Sequence, residues 1–322
     1  MYLPFLNLVR DLYPGSSVLD LGCGRGEWLE LTGELGFDAK GVDLDDGMLE
    51  VCSRLGLRAR KQDAIDCLRE LADESQSVVS AFHVVEHITF EQLQDLIKEV
   101  CRVLKPGGLL IMETPNPESV TVSTWAFYQD PTHQRPIPPQ LLKFVTEYFG
   151  FSRSKIVRLQ EPVGIGEKTT VTLRDVFEGV SPDYAVVAQK MAAVETMKKF
   201  DEAFSREYGF SQGDLLDRFD QSLDRRLDDL HSHLTSVKVL VDKTQESLGQ
   251  IQDQVQTTEV RLQEKIQAIQ EQIQRSYELL KEAKKNTGWR SLVPFRWFFL
   301  KCASLRQRGF VERVKAALRK RH

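Results

Sequence analysis

Cysteine is scarce and unpatterned: five residues in 322, at positions 23, 52, 67, 101 and 302, with no Cys-x-x-Cys pair. An odd, scattered set supports neither a disulfide framework nor a zinc site, so no metal is expected and a reducing cytoplasm suits the chain. Long apolar runs are missing as well. None approaches the ~18 residues of a membrane-spanning helix, and Met1-Tyr2-Leu3-Pro4 lacks the basic start of a secretory signal. Proline is absent between Pro182 and Pro294, and tryptophan between Trp125 and Trp289. The composition therefore changes near residue 190, dividing a mixed, glycine-containing first part from a helical remainder.

Net charge is small, -4, but unevenly placed. Residues 286–322 hold ten Lys/Arg against one acid, Glu312, a surplus of nine that leaves -13 on the other 285 residues. An acidic body argues against nucleic-acid binding, and the basic end points to a localised anionic partner. Trp289, Phe295, Trp297, Phe298 and Phe299 are interrupted there by Arg296 and Lys301. Phe310, Val311, Val314, Ala317 and Leu318 then form one helical face, opposite Arg313, Lys315, Arg319 and Lys320. This reads as a basic amphipathic helix on the anionic lipid of the cytoplasmic face of a membrane, or as a docking segment for a protein partner.

What is present in the first part is alternation. Apolar runs at Ser17–Leu21, Ala39–Asp43, Val78–Phe82 and Leu109–Glu113 alternate with helical patterns, which predicts an α/β fold with a parallel sheet wrapped by helices. Ser154–Leu159 and Tyr184–Ala188 predict a hairpin closing one edge. Beyond about Leu215 the period becomes seven: Leu227, Leu234, Val241, Leu248, Val255 and Leu262 form one seam line, and Leu230, Val237, Thr244, Ile251 and Thr258 the other. Two insertions of four, Leu223 to Leu227 and Leu262 to Ile266, are stutters. Residues 215–285 are expected to make a coiled-coil rod of roughly 106 Å that joins copies of the chain. The expected domains are 1–190, a helical connector 191–214, the rod 215–285 and the tail 286–322.

The chemistry-bearing motif follows the first predicted strand. Val18-Leu19-Asp20-Leu21-Gly22-Cys23-Gly24-Arg25-Gly26 places three alternating glycines before a helix starting near Glu27. Such a loop lets a ligand press on backbone amides, but Gly26 lies only two residues after Gly24, unlike the three of a dinucleotide fold. Asp20 would repel a phosphate and suits a cationic or amino-acid ligand. Asp43 ends the second strand, where a carboxylate can accept from both ribose hydroxyls. Asp63 follows a short third strand, where one can accept from an adenine amine.

DLGCGRGEW, GVDLDDGML, AFHVVEH and VLKPGGLLIMETPNPE resemble the class I S-adenosylmethionine-dependent methyltransferases across residues 14–190. The resemblance implies a Rossmann-like sheet with helices on both faces and S-adenosylmethionine as cofactor. It implies that Asp20, Gly22, Cys23, Gly24 and Gly26 face the methionine part, Asp43 with Leu44 the ribose, Asp63 with Ala64 the adenine, and His83 the methyl sulfonium. Phe127-Tyr128-Gln129-Asp130-Pro131-Thr132-His133-Gln134-Arg135-Pro136, followed by Pro138-Pro139-Gln140-Leu141-Leu142, is similar to methyltransferase domains of bacterial surface-polysaccharide gene clusters, including those of O-antigen chain terminators. That resemblance implies a lipid-linked glycan substrate, a parallel trimer through 215–285, and attachment of 286–322 to the inner membrane or to a polysaccharide glycosyltransferase. It further implies a cofactor-covering helix before the Tyr2-Leu3-Pro4-Phe5 segment. The bifunctional terminators place a kinase domain before their coiled coil, and the roughly 25 residues from Lys190 to the rod leave no space for one.

Without a kinase to make a phosphate, a sugar hydroxyl is the expected acceptor, and its proton needs a base. The candidates are His133, backed by Asp130, and the Glu86-His87 pair. Each has a plainer reading, His133 as a loop residue capping backbone groups and Glu86-His87 as a helix-start cap with a packing imidazole. Trp125 and Tyr128 are candidates for stacking on a sugar, and Arg135 for gripping an anion or pairing with Glu113. Two other functions fit the same sequence: an inactive oligomeric scaffold for a glycosyltransferase, and methylation of a small metabolite or lipid.

Overall fold

The computed structural model describes residues 1–285; the tail 286–322, with its expected amphipathic helix, lies outside the described residues. The elements run α1 (Leu3–Leu12), β1 (Ser17–Leu21), α2 (Glu27–Glu34), β2 (Asp38–Asp43), α3 (Asp46–Arg54), β3 (Ala59–Lys61), α4 (Ala64–Glu70), β4 (Gln76–Phe82), α5 (Phe90–Val103) and β5 (Leu104–Pro115). They continue with α6 (Pro139–Tyr148), β6 (Phe151–Leu159), α7 (Leu173–Glu178), β7 (Asp183–Lys190), α8 (Val194–Lys199), α9 (Asp201–Ser205) and α10 (Gln212–Lys285).

The strands form one seven-stranded sheet in the order β3-β2-β1-β4-β5-β7-β6. β1 pairs in parallel with β2 and β4, so Leu21 lies between Val42 and Ala81. β4 and β5 are buried on both faces, which is why they read as continuous apolar runs rather than alternating ones. The expected hairpin is present at the far edge, and β7 runs antiparallel to both β5 and β6. Helices cover both faces. On one, Leu93, Leu96, Ile97 and Val100 of α5 pack on Val79, Ala81 and Leu110, behind a Thr89/Gln92 capping box. On the other, Phe5, Leu6 and Val9 of α1 pack on Val18, Val78 and Ile111.

Residues expected as a connector belong to that second layer. Phe200 of α8–α9 and Tyr208 are buried beside Phe5, and Arg153 of β6 binds Gln189, Asp201 and the carbonyl of Met197. A small separate core of Ile165, Val171, Val176, Val180 and Leu215 seats the start of α10. The compact unit accordingly runs Met1–Leu230, and a second begins at His231. In the second unit the described residues are one continuous helix. Its seam residues Leu234, Val237, Val241, Leu248, Ile251 and Val255 are about half exposed, covered by no described residue of the same chain.

Gly209 marks where the connector meets the sheet: a Cβ there would lie 2.6 Å from Arg158 Cβ and 2.8 Å from the Arg158 carbonyl oxygen, at φ +62°. Gly209→Ala should destabilise the compact unit by about 1–3 kcal/mol in urea unfolding. Gly249→Ala, on the helix with nothing within 4 Å, should stabilise by about 0.5–1 kcal/mol. A neutral Gly209→Ala would detach the connector from the core.

Candidate cofactor and acceptor site

The glycine loop takes its shape from two close approaches. Gly22, at φ +67°, runs where a Cβ would lie 2.5 Å from Val84 Cγ2, so a side chain is excluded by both backbone and space. Gly26, at φ +92°, packs instead against Leu57 and Cys52, away from the loop's open side. The Gly24 N–H donates to Asp43 Oδ2 at 2.8 Å, and the Asp45 N–H donates to Asp43 Oδ1 at 2.8 Å. One carboxylate thus ties the loop after β1 to the loop after β2 and keeps further lone pairs on both oxygens.

A cleft of about 400 Å³ opens above that loop. Asp20, Gly22, Cys23 and Gly24 form its floor, with Glu27 and Trp28 of α2 and Phe82 of β4 as walls. Tyr2 stands against Trp28 and Phe82, ring centres 5.7 Å from each. Asp20 is fully enclosed and accepts from the Ser80 hydroxyl at 2.7 Å. Burial pushes its carboxyl up to about 7, against the Ser80 hydrogen bond and with help from Asp43 and Glu27. Such a group gains from a cation placed beside it. Trp28 Nε1 is buried with no partner among the described residues, a donor aimed at nothing the chain supplies.

The third acid stands at the head of α4. Asp63 Oδ1 accepts from the Ile65 and Asp66 amides, capping the helix, and Oδ2 remains without a partner among the described residues. Ala64 follows as the first helical residue, Leu44 is exposed after β2, and Gln62 Oε1 is buried and unpartnered. A ligand with a cationic amino-acid end, a vicinal diol and an amine-bearing ring would meet Asp20, Asp43 and Asp63 in that order, so these residues fit S-adenosylmethionine.

The far side of the cleft is rich in carboxylates. His83, at φ +53° after β4, places Nδ1 3.1 Å from Glu86 Oε1 and Nε2 3.7 Å from Glu113 Oε1. Those contacts, Glu113 first, hold its imidazolium up to about 10. The Tyr2 hydroxyl donates to Glu113, and burial raises Asp183 nearby to about 6. His83 is therefore a fixed cation outnumbered by acids, and the pocket as a whole favours positive charge.

Glu86, His87, Asp130 and His133 come together beside it. Glu86 is buried and accepts from the Thr114 hydroxyl at 2.9 Å. The His87 and His133 rings lie 4.7 Å apart. His133 Nδ1 meets the Phe127 carbonyl at 2.7 Å, and its Nε2 lies 3.9 Å from Asp130 Oδ2. The pairing of Arg135 with Glu113 does not occur: Arg135 stacks on the Phe90 ring, and Glu113 is engaged by Tyr2 and His83. Tyr2, Trp28 and Asp183 were not among the candidates the sequence offered, and Glu113 was named there only as a partner for Arg135. Trp28 alone carried a signal, one residue into the helix that follows the loop. Trp125 and Tyr128 are both exposed, Tyr128 against Phe127, which in turn packs on His133.

The chain is similar to known methyltransferases. Residues 19–112 match the family described as "Methyltransferase domain". Over 119 residues the chain is 33% identical to a ubiquinone biosynthesis O-methyltransferase of Idiomarina loihiensis, covering 35% of this chain and 48% of that protein. It is 29% identical over 146 residues to the Arabidopsis thaliana tRNA (carboxymethyluridine(34)-5-O)-methyltransferase, covering 44% and 32%. A solved SAM-dependent methyltransferase from Archaeoglobus fulgidus shares 32% identity at a TM-score of 0.49, covering 58% of this chain and 93% of that one. The chain spans about half the length of the first of these curated relatives, or less. The globular unit carries a class I S-adenosylmethionine-dependent methyltransferase domain, and S-adenosylmethionine is its cofactor.

Two outcomes follow from the acids. Asp43→Ala should weaken S-adenosylmethionine by about 1.5–3 kcal/mol in calorimetry, the range for hydrogen bonds to a charged group; unchanged affinity would place the ribose elsewhere. With a folded value near 7 against an ordinary 3.8, Asp20 favours the folded state at low pH, and that contribution is lost as pH rises through about 7. A bound ammonium reverses the balance, since it rewards the ionised form. Cofactor affinity should therefore rise between about pH 6 and 7.5, and Asp20→Asn should flatten the profile. An equally steep profile in the variant would remove Asp20 as the titrating group.

Proposed function

We propose that the chain is an O-methyltransferase that caps the non-reducing terminal sugar of a lipid-linked bacterial surface polysaccharide, an O-antigen, and so ends its growth. The observation that carries this reading is the joining of a methyltransferase domain to a 74-residue helix with an exposed heptad seam. A small-molecule enzyme has no use for such a helix. The segment from Phe127 to Leu142, which resembles polysaccharide methyltransferases, supplies His133 and the exposed Tyr128, and the exposed Trp125 stands two residues before it.

The bound cofactor supplies an already activated methyl group on a cationic sulfur. The protein has to hold an acceptor oxygen in line and receive its proton. Asp20, Asp43 and Asp63 bind and orient, and the excess of acid around His83 accommodates positive charge. Tyr2, Trp28 and Phe82 exclude water from the cleft wall. His133 is suited to take the proton: its Nδ1 can only donate to the Phe127 carbonyl, which leaves Nε2 as a free base with Asp130 Oδ2 3.9 Å from it. His87 and Glu86 stand close enough to share that role.

Copies of the chain would bury the seam by associating through 215–285 as a parallel trimer, with 286–322 on anionic lipid of the inner membrane or on a glycosyltransferase. The helix then acts as a spacer: a glycan rooted in the membrane is methylated only after growing to the height of the catalytic domains. A second reading, methylation of a lipid-soluble small molecule, is favoured by the ubiquinone relative.

His133→Ala should lower turnover on a matching oligosaccharide by about 10²–10⁴-fold and leave cofactor affinity nearly intact; a loss below about tenfold would pass the role to His87 or Glu86. Deleting Leu227–Arg261 as whole heptads removes about 52 Å of helix. The modal glycan should shorten while activity on free acceptors stays the same. An unchanged length distribution would defeat the spacer idea, a monomer in light scattering the oligomer, and methylation only of quinone-like phenols the glycan reading itself.

A further inference from the structure

Two histidines 46 residues apart in sequence meet over a buried carboxylate, and each has its tautomer set by its neighbour. The Phe127 carbonyl carries no proton, so the 2.7 Å contact with His133 requires Nδ1–H to donate and leaves the Nε2 lone pair bare. Nε2 has no hydrogen-bond partner, Asp130 Oδ2 being 3.9 Å away. At His87 the same result arises through a relay. The Thr132 hydroxyl gives its one proton to Asp130 Oδ1 at 2.6 Å, while Asp130 also accepts the Thr132 amide at 2.8 Å. That hydroxyl can then only accept from His87 Nδ1, 2.9 Å away, so His87 Nε2 is bare too.

The support is rigid. The Gln134 amide donates to the Glu86 carbonyl and the Gln134 side chain to the His87 carbonyl, each at 2.8 Å, clamping the 130–134 loop onto the turn Val85–His87. Glu86 is fully buried, its Oε2 held by Thr114 and its Oε1 by His83. One donor atom from each of Glu86, His87 and His133 lies within 4.8 Å of the other two. An Nε2 lone pair left available by an Nδ1–H hydrogen bond to an oxygen is what a metal-binding histidine requires of its surroundings.

We propose that Glu86, His87 and His133 form a site for a divalent first-row transition cation. Two imidazole nitrogens and one carboxylate oxygen are borderline ligands suited to Zn²⁺, Co²⁺, Mn²⁺ or Fe²⁺, and three protein ligands leave positions open for oxygen atoms. The existence of the site rests on these contacts alone. Its use rests on the glycan reading: the open positions would take vicinal hydroxyls of the acceptor, and a cation there lowers the pKa of a hydroxyl it binds. A histidine that ligates the cation is not then free to take the proton.

The test uses the full chain and Co²⁺ alone, followed by calorimetry and by visible absorption. The expected result is one Co²⁺ per chain with ligand-field bands. His87→Ala and His133→Ala should each weaken it at least tenfold, and the double variant should abolish the bands. S-adenosylmethionine affinity stays within about twofold in all three, showing that the fold is intact. If an alanine variant loses the fold, Thr132→Val serves instead, removing the hydroxyl that links His87 Nδ1 to Asp130 while leaving all three ligands in place, and should weaken Co²⁺ by about tenfold or more. No uptake below millimolar Co²⁺, or equal uptake by the double variant, overturns the proposal; so does Thr132→Val binding like the wild type. Loss of the cation site leaves cofactor binding and glycan methylation to be measured separately, and failure to methylate glycans leaves the Co²⁺ stoichiometry standing.

Discussion

The Asp43 carboxylate holds the cofactor side of this structure together. It accepts one amide from each of two loops, those after β1 and β2, and so fixes Gly24 relative to the end of β2, while Gly22 and Gly26 are placed by their close approaches to Val84 and Leu57. Because both oxygens are already oriented by backbone donors, the lone pairs left over are directed before any ligand arrives. Preorganisation of this kind means that binding does not have to order the acid as well as engage it.

Charge follows a different logic from shape. Asp20, Asp183, Glu86 and Glu113 are all withdrawn from water, an arrangement costly for an apoprotein. The structure offsets it partly with Ser80, Thr114, Tyr2 and the imidazolium of His83. What remains is an excess of negative charge around the cleft. A cationic ligand therefore contributes to stability as well as receiving a site, and the domain should melt higher with cofactor than without it.

Most of the sheet was legible in the sequence because β4 and β5, buried on both faces, have no alternation to obscure them, and β1 and β2 are short runs ending at Leu21 and Asp43 whose apolar residues stand out between helical patterns. The glycine loop and the acids at 20, 43 and 63 were legible for a related reason, since each sits at a strand end, a place that chain order alone reveals. The contacts that needed three dimensions were not. Tyr2 reaches Glu113 from the far end of the chain, Arg135 chooses the Phe90 face over an acid, and Phe200 looks like connector until it is found against Phe5. His87 and His133 were both visible as candidates, but their meeting was not, because nothing in a linear pattern says that the loop after β5 folds back over the turn after β4. The heptad was plain in the sequence of the helix, and no described residue of the chain covers it.

The place of β7 has a consequence for how the protein is made. This strand lies between β5 and β6 and hydrogen-bonds to both, yet it is the last of the seven to be synthesised. Until residue 190 has left the ribosome, β5 presents an open edge and β6 has no partner at all. The cofactor half of the sheet, β1 to β4, is complete much earlier. A nascent chain stalled in between would hold a nearly finished cofactor loop on a sheet with an adhesive edge, the form most exposed to pairing with a neighbour on the same messenger.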